Sequence, residues 1–199
     1  MSLSNKLKCR YCGKYSDRTT GIKVNLGFYC SYAHATSDGI RKASITRNKE
    51  AKASLRVRKK SLVTRPKWFA KLQKVKNQYI VHVRDKELGC FTCGTTSKSI
   101  KYDCGHYIHA GSGGGDRRRF IDMNLHKQCS VQCNQHGGGM PEIYAQRIGY
   151  VYGYEQLEWL KCEANHPTLK ELYPHWSDIE NEIIRYRKLL RDNGLKPNA

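Results

Sequence analysis

Long apolar runs are missing from this chain. No segment approaches the ~20 consecutive apolar residues that a membrane-spanning helix needs, and the opening MSLSNKLKCRYCG holds no apolar leader core. The chain therefore reads as soluble, and secretion with an accompanying disulfide framework is disfavoured. Apolar residues are scarce altogether, at 39% of 199 with a mean hydropathy of −0.72, which argues against one large core. Small cores of this kind are commonly stapled by metals or disulfides. Acidic residues are also few, 17 against 36 Lys and Arg, leaving a formal charge of +19 and a pI near 9.7. The glycine-rich stretch Gly111-Ser-Gly-Gly-Gly115 lacks the Lys and Ser or Thr that must follow a P-loop, so nucleotide binding of that kind is excluded.

What is present is basic charge and cysteine. Between Arg41 and Ile80 there are fourteen Lys or Arg and a single acid, Glu50. A block so one-sided repels itself unless a polyanion neutralises it, and phosphate contacts with counterion release make nucleic acid the leading partner. An anionic membrane surface is the competing partner, but the block lacks a sustained apolar face to insert. The nine cysteines fall into a pattern that suits zinc in a reducing compartment. Cys9-x2-Cys12 and Cys30-x3-His34, seventeen residues apart, have the knuckle-and-turn spacing of a structural zinc site with no open coordination position. Cys90-x2-Cys93 and Cys129-x3-Cys133 form a second pair of pairs, and they bracket Asp103, His106 and Asn124.

Four segments are expected: an N-terminal zinc module at 1–36, a basic arm and helix at 37–86, a catalytic core at 87–140 and a helical region at 141–199. The apolar residues Trp68, Phe69, Leu72, Val75, Tyr79, Ile80 and Val83 predict a helix from Pro66 to about Lys86. An apparent strand covers Ser99 to Ile108. Further helices are expected over Pro141 to Leu160, and from a Ser177 cap to a Gly194 stop.

The central block has the side chains that phosphodiester cleavage requires. Hydrolysis needs a deprotonated water and neutralisation of charge on the phosphoryl and leaving oxygens. His106 is the candidate base, since an imidazole with a reference pKa of ~6.5 is largely unprotonated at neutral pH. A hard divalent cation on oxygen ligands supplies the rest. Asp103 lies three residues earlier on the apparent strand, on the face opposite His106. The glycine stretch is read as a flexible loop carrying Arg117, Arg118 and Arg119 toward a phosphate backbone, with Lys59, Lys60 and Arg65 as further DNA contacts. Cys104 and Cys162 are expected to be small buried apolar residues rather than nucleophiles, and His126 is left outside the catalytic set.

On Asp103-Cys-Gly-His106-Tyr107, Arg119-Phe120, Asn124-Leu-His126-Lys127-Gln128-Cys129 and Cys133-Asn134-Gln135-His136, the chain resembles the phage NinG family, also called Rap. Cys9, Cys12, Cys30-Ser31 and position 34 extend the resemblance to the N-terminus, with His34 where the lambda-like pattern has cysteine. The resemblance implies an α+β, zinc-stabilised protein with a ββα-metal (HNH-like) core, an N-terminal zinc module and flanking helices. It also implies a divalent-metal-dependent endonuclease acting on branched DNA such as Holliday junctions and D-loops. In that pattern His106 is the base and Asn124 the central asparagine, bridging backbone groups through its amide. Asp103, Asn134 and His136 would hold the catalytic Mg²⁺ or Mn²⁺. Cys90, Cys93, Cys129 and Cys133 would form a structural zinc cluster, making two zinc ions in all. Asp stands directly before the base in the familiar motif, whereas Cys104 and Gly105 intervene here. The further expectations are a cytoplasmic location in a bacterial host if the chain is phage-encoded, a homodimer, and host or phage recombination partners. The alternatives are a non-catalytic zinc-dependent nucleic-acid-binding protein and a sequence-specific HNH homing or restriction nuclease.

Overall fold

The computed structural model describes residues 5–25, 27–109, 111 and 115–198, with the side chains at 115 and 116 excluded. The expectation for the glycine loop falls largely on 112–114, outside the described residues. The fold is α+β, with small antiparallel pairs of strands among helices, two of which, α3 (Gly115–Arg118) and α6 (Leu169–Leu172), are single turns. It divides into two compact units, 1–62 and 63–199, where the sequence suggested four segments.

Unit 1 contains two three-residue hairpins and one long helix. β1 (Lys6–Lys8) pairs with β2 (Tyr15–Asp17), and β3 (Ile22–Val24) pairs with β4 (Gly27–Tyr29). α1 runs from Tyr32 to Ser61, capped by the Ser31 hydroxyl accepting from the His34 amide. The boundary expected at residue 36 is therefore wrong, because the basic arm is continuous with the first turn that carries His34. Apart from Asp38, whose buried carboxylate accepts from Tyr29 Oη at 2.7 Å and pairs with Arg41 and Lys42, no α1 residue is buried. Hydrogen bonds from Lys42, Tyr29 and Arg41 hold the Asp38 carboxyl well below the usual range. The whole helix is about 45 Å long at 1.5 Å per residue, and beyond the Asp38 contacts it is an exposed basic rod.

Unit 2 is built on a helix pair. α2 (Arg65–Tyr79) buries Trp68, Phe69, Leu72 and Val75 against Ile179, Ile183, Tyr186 and Leu190 of α7 (Trp176–Asp192). The 3–4 residue spacing places these side chains on one stripe of each helix. α2 continues as a π-helical turn, Ile80–Arg84, ending close to the expected Lys86. Ile80 and Val81 then pack on the hairpin of β5 (Tyr102–His106) and β6 (Leu125–Cys129), touching Cys104 and Leu125. A seven-residue π-helix, Ser130–His136, follows directly.

The helix expected over 141–160 is two, α4 (Pro141–Tyr152) and α5 (Tyr154–Lys161), broken at Gly153 with φ +98°. Their core is Tyr144, Ile148, Leu157 and Leu160. α7 is capped by His175 rather than Ser177, because Asp178 returns a bond to the His175 amide at 2.7 Å and closes a capping box. At its other end Gly194 (φ +73°) takes the left-handed turn expected of a helix stop.

Candidate functional site

Two cysteine clusters frame the molecule's chemistry. Cys9, Cys12, Cys30 and His34 converge in unit 1, and Cys90, Cys93, Cys129 and Cys133 converge in unit 2, with the ligand atoms of each set within 4.8 Å of one another. No other group of three His, Cys, Asp or Glu ligands forms among the described residues. The Cys12–Cys30 and Cys93–Cys129 sulfurs are 3.7 and 3.9 Å apart. A tetrahedral zinc with Zn–S bonds of about 2.3 Å separates its sulfurs by about 3.8 Å, so the donor sets fit that metal.

The two knuckles share one backbone design. Cys9 N donates to Lys14 O and Gly13 N to Cys9 O, while Cys90 N donates to Thr95 O and Gly94 N to Cys90 O, all at 2.8–2.9 Å. In both, the glycine after the second cysteine is left-handed, φ +74° at Gly13 and +76° at Gly94. The second ligand pair lies at a strand-to-helix junction in each unit, Cys30 before α1 and Cys129 before the π-helix. Burial alone would raise the Cys90 thiol, but hydrogen bonds from the Thr92 hydroxyl and nearby backbone amides outweigh it and lower the pKa to about 6. Burial and the neighbouring sulfurs push Cys133 up to about 12. A bound dication removes that mutual repulsion and lets all four ligate as thiolates. Cys104, also near 12 through burial, is a core residue as expected, whereas Cys162, expected to be buried as well, is exposed at the end of α5.

The cluster in unit 2 pins the hairpin that carries His106. Phe91 N donates to Lys127 O at 2.8 Å, and Cys129 N to Cys90 Sγ at 3.3 Å, fastening the knuckle along β6. Gln128 bridges from β6 to Thr92 Oγ1 and Gly139 O. Its Oε1 lies over Gly105, where an added Cβ would approach to 1.8 Å, so any larger residue before His106 would force the buried Gln128 side chain to shift. Lys127, buried in β6, donates to the carbonyls of Asp85, Lys86 and Leu88.

His106 ends β5 opposite Leu125. Burial, followed by the charges of His109 and Arg119, lowers its pKa to about 4, against a hydrogen bond with the Arg119 backbone that favours the cation. The imidazole is thus neutral at pH 7. Its Nε2 is buried with no hydrogen-bond partner. Asn124 is fully buried and clamps the β5–β6 connection: Oδ1 accepts from Ile108 N at 2.8 Å, and Nδ2 donates to Ile108 O and Arg118 O, each at 3.0 Å. Tyr107 N donates to Asn124 O as well. The two residues are therefore brought together through the backbone beside His106 and Arg119.

The cation ligands read from the motif are not gathered in the same way. Side chains alternate along a strand, so Asp103 projects from the face opposite His106, as the sequence indicated. Its carboxylate accepts from Ser130 Oγ and pairs with Lys101 at 3.3 Å. Asp103 and Asn134 line a common pocket of about 490 Å³ with Lys74, His82 and Lys101, whose lining includes neither His106 nor His136. His136 is exposed at the end of the π-helix. Of the expected set Asp103, Asn134 and His136, the structure brings only Asp103 and Asn134 to one pocket.

The arginines also separate. Arg118 is corrected from a DNA contact to a structural residue: its buried guanidinium donates to Lys161 O at 2.6 Å and to Leu160 O, closing the end of α5. Arg65 is tied to the carbonyls of Tyr173 and Pro174, and Arg117 to Glu163 and His166 O. Lys59 is exposed and Lys60 half-buried in the last turn of α1, where cations also complement the helix dipole. His126 is structural. It stacks on Phe91 at 3.7 Å and hydrogen-bonds Tyr144 and Tyr152, and burial lowers its pKa to about 3. Tyr144, which also donates to Gly105 O, has no signature in sequence because its partners come from another segment.

No helix among the described residues is long and apolar enough to cross a membrane. The family described as Bacteriophage Lambda NinG protein matches residues 1–194. Among relatives called Protein ninG, that of Escherichia phage 933W is 28% identical over 208 aligned positions, covering 96% of each chain. Those of Escherichia phage lambda and Salmonella phage P22 are 30% and 29% identical, covering 83% of this chain and 83% and 85% of the relatives. No solved structure matches. With a family match whose span takes in both cysteine clusters and the His106 hairpin, the chain belongs to the NinG family of bacteriophage proteins.

Proposed function

We propose that the chain is a divalent-cation-dependent endonuclease with an HNH-like ββα-metal core, which nicks branched DNA intermediates of phage recombination. The observation that carries this reading is the His106 imidazole, held neutral with an unpartnered Nε2 beside a loop clamped by Asn124. A buried acceptor without a partner costs about 1–3 kcal/mol, and a base waiting for a water is one reason to keep it. In this mechanism Nε2 takes a proton from water as the oxygen bonds to phosphorus and the phosphorus–leaving-oxygen bond breaks. Asn124 is a positioning residue, fixing the backbone from which His106 projects.

A bound Mg²⁺ or Mn²⁺ supplies charge neutralisation at the phosphoryl and leaving oxygens. Asp103 and Asn134 carry the hard oxygen donors such an ion prefers, but they line a pocket on the strand face opposite His106 and so would not by themselves place it at the phosphate that His106 serves. Structural zinc in the two cysteine clusters keeps the units folded. The basic rod of α1, including Lys59 and Lys60, adds sequence-independent grip. Preference for branched DNA rests on the family resemblance. In this reading the protein works in the host cytoplasm alongside recombination proteins, and a homodimer presents two sites to a symmetric junction.

The closure of His106 Nε2 from solvent favours a second reading, a zinc-dependent DNA-binding protein without catalysis. Nicking of four-way junctions and matched linear duplexes with Mg²⁺ or Mn²⁺, before and after His106→Ala, separates the two. The nuclease reading expects nicking lost and binding retained in the variant. Nicking unchanged by the substitution refutes the role of His106.

A further inference from the structure

We propose that the aromatic pocket between the Cys90 knuckle and the last turn of α4 binds an unpaired nucleobase, so that the DNA this protein engages carries a single-stranded segment. The inference rests on the proposed function only for DNA as the ligand, which both readings above share. The pocket encloses about 360 Å³, within the ~300–1,000 Å³ usual for small-ligand sites. Rings dominate its walls: Phe91 from the knuckle, Tyr150 and Tyr152 from α4, and the His126 imidazole from β6. Tyr150 is 83% exposed and Tyr152 40%, although aromatic side chains gain most when their faces are covered. A cluster of exposed apolar surface of this kind marks a contact site.

Most of the platform is fixed before any ligand arrives. Phe91 stacks on His126 with centroids 3.7 Å apart, and His126 Nε2 and Tyr152 Oη share a hydrogen bond of 2.8 Å. Little ordering cost is therefore left to binding. Charge then selects a nucleotide over an apolar side chain. Two charged residues line the pocket, Asp85 and Arg147. The buried Asp85 carboxylate is taken up by Arg84 Nε at 2.7 Å and the Lys127 amide at 3.0 Å. Arg147 is exposed, and its Nε donates to Phe91 O at 3.0 Å, its one partner among the described residues. That neutral carbonyl orients the guanidinium without cancelling its charge, and an oriented fork beside a ring-lined pocket suits the phosphate of a nucleotide whose base is stacked. Gly105 pairs with His126 and His106 with Leu125. Strand alternation therefore turns His126 away from the His106 face, and the nucleotide held in the pocket is not the one whose phosphate His106 serves. A displaced strand beside the cleaved one, as in a D-loop, meets that geometry.

The full zinc-loaded chain, without added Mg²⁺ or Mn²⁺, is titrated with a labelled oligo-dT strand and with an abasic strand of equal length, which keeps the phosphates and lacks the bases. Stacking on an aromatic side chain strengthens binding by about 5- to 150-fold per base. Wild type should accordingly prefer the dT strand about tenfold. Tyr150→Ala should bring the two affinities within twofold, while Tyr150→Phe keeps the preference, as does Tyr32→Ala at an exposed tyrosine of unit 1. Arg147→Gln should lower the slope of log K against log salt by about 0.7, the value for one phosphate of a single strand. A fluorescent adenine analogue placed in the abasic strand should be quenched on binding wild type and not Tyr150→Ala. Equal affinity of wild type for both strands overturns the proposal, as does a base preference that Tyr150→Ala leaves intact. A wild-type dimer that Tyr150→Ala converts to monomer, without any base preference, also overturns it and assigns the face to a second copy of the chain. Since no strand is cut, a protein that shows the base preference yet never nicks DNA counts against the nuclease and not against the pocket.

Discussion

Asn124→Ala removes a side chain that ties the β5–β6 connection to itself. Three hydrogen bonds disappear, to Ile108 N, Ile108 O and Arg118 O, and the carboxamide volume is left empty in a fully buried site. At about 1 kcal/mol net per bond, the loss is about 3 kcal/mol, a large part of the 5–15 kcal/mol that holds a typical domain together. Asn124→Asp is the sharper perturbation. One carboxylate oxygen still accepts from Ile108 N, but the other faces two carbonyl oxygens, so the isosteric variant should be no more stable than the alanine one at pH 7. Urea denaturation of zinc-loaded protein gives the global loss, and hydrogen exchange at the Ile108 amide gives the local one, expected to quicken more than tenfold. An Asn124→Ala protein within 0.5 kcal/mol of wild type, with Ile108 exchange unchanged, would refute the clamp.

Other substitutions test separate parts of the argument. Arg118→Ala should lower stability by about 2 kcal/mol, since the C-terminal carbonyls of α5 lose a charged donor, while the salt slope of DNA binding stays at the wild-type value; a changed slope would return Arg118 to the DNA interface. Gly105→Ala forces Gln128 off Thr92 and Gly139, and its melting temperature should fall by several degrees. His106 has a pKa near 4 when folded and ~6.5 when unfolded, so the unfolded chain takes up the proton first on acidification. Its contribution is intact above pH 6.5 and shrinks as pH falls toward 4, and His106→Phe should flatten that stretch of the stability profile in urea titrations. Zinc analysis should find two ions per chain. Cys12→Ser and Cys93→Ser should each lose one of them and unfold only its own unit, because each cluster is internal to one unit; simultaneous loss of both units would disprove that independence.

Local spacing was sufficient wherever the physics is local. Cys-x2-Cys followed by glycine can close the same knuckle in two places because every bond involved lies within six residues. The stripe from Trp68 to Val75 faces the core because 3.6 residues make a turn, and strand alternation alone separated Asp103 from His106. The sequence also determined that a strongly basic, zinc-compatible chain carries the NinG pattern. It could not show that Arg118 is buried against the end of α5 while Arg117 pairs with Glu163, since consecutive arginines are chemically identical until packing gives each a different direction. Only the tertiary structure joined Asn124 to Ile108 across sixteen residues and left His106 Nε2 without a partner. Those outcomes depend on which distant groups meet when the apolar faces of α2, α4, α5 and α7 are buried, and that is decided by the whole core.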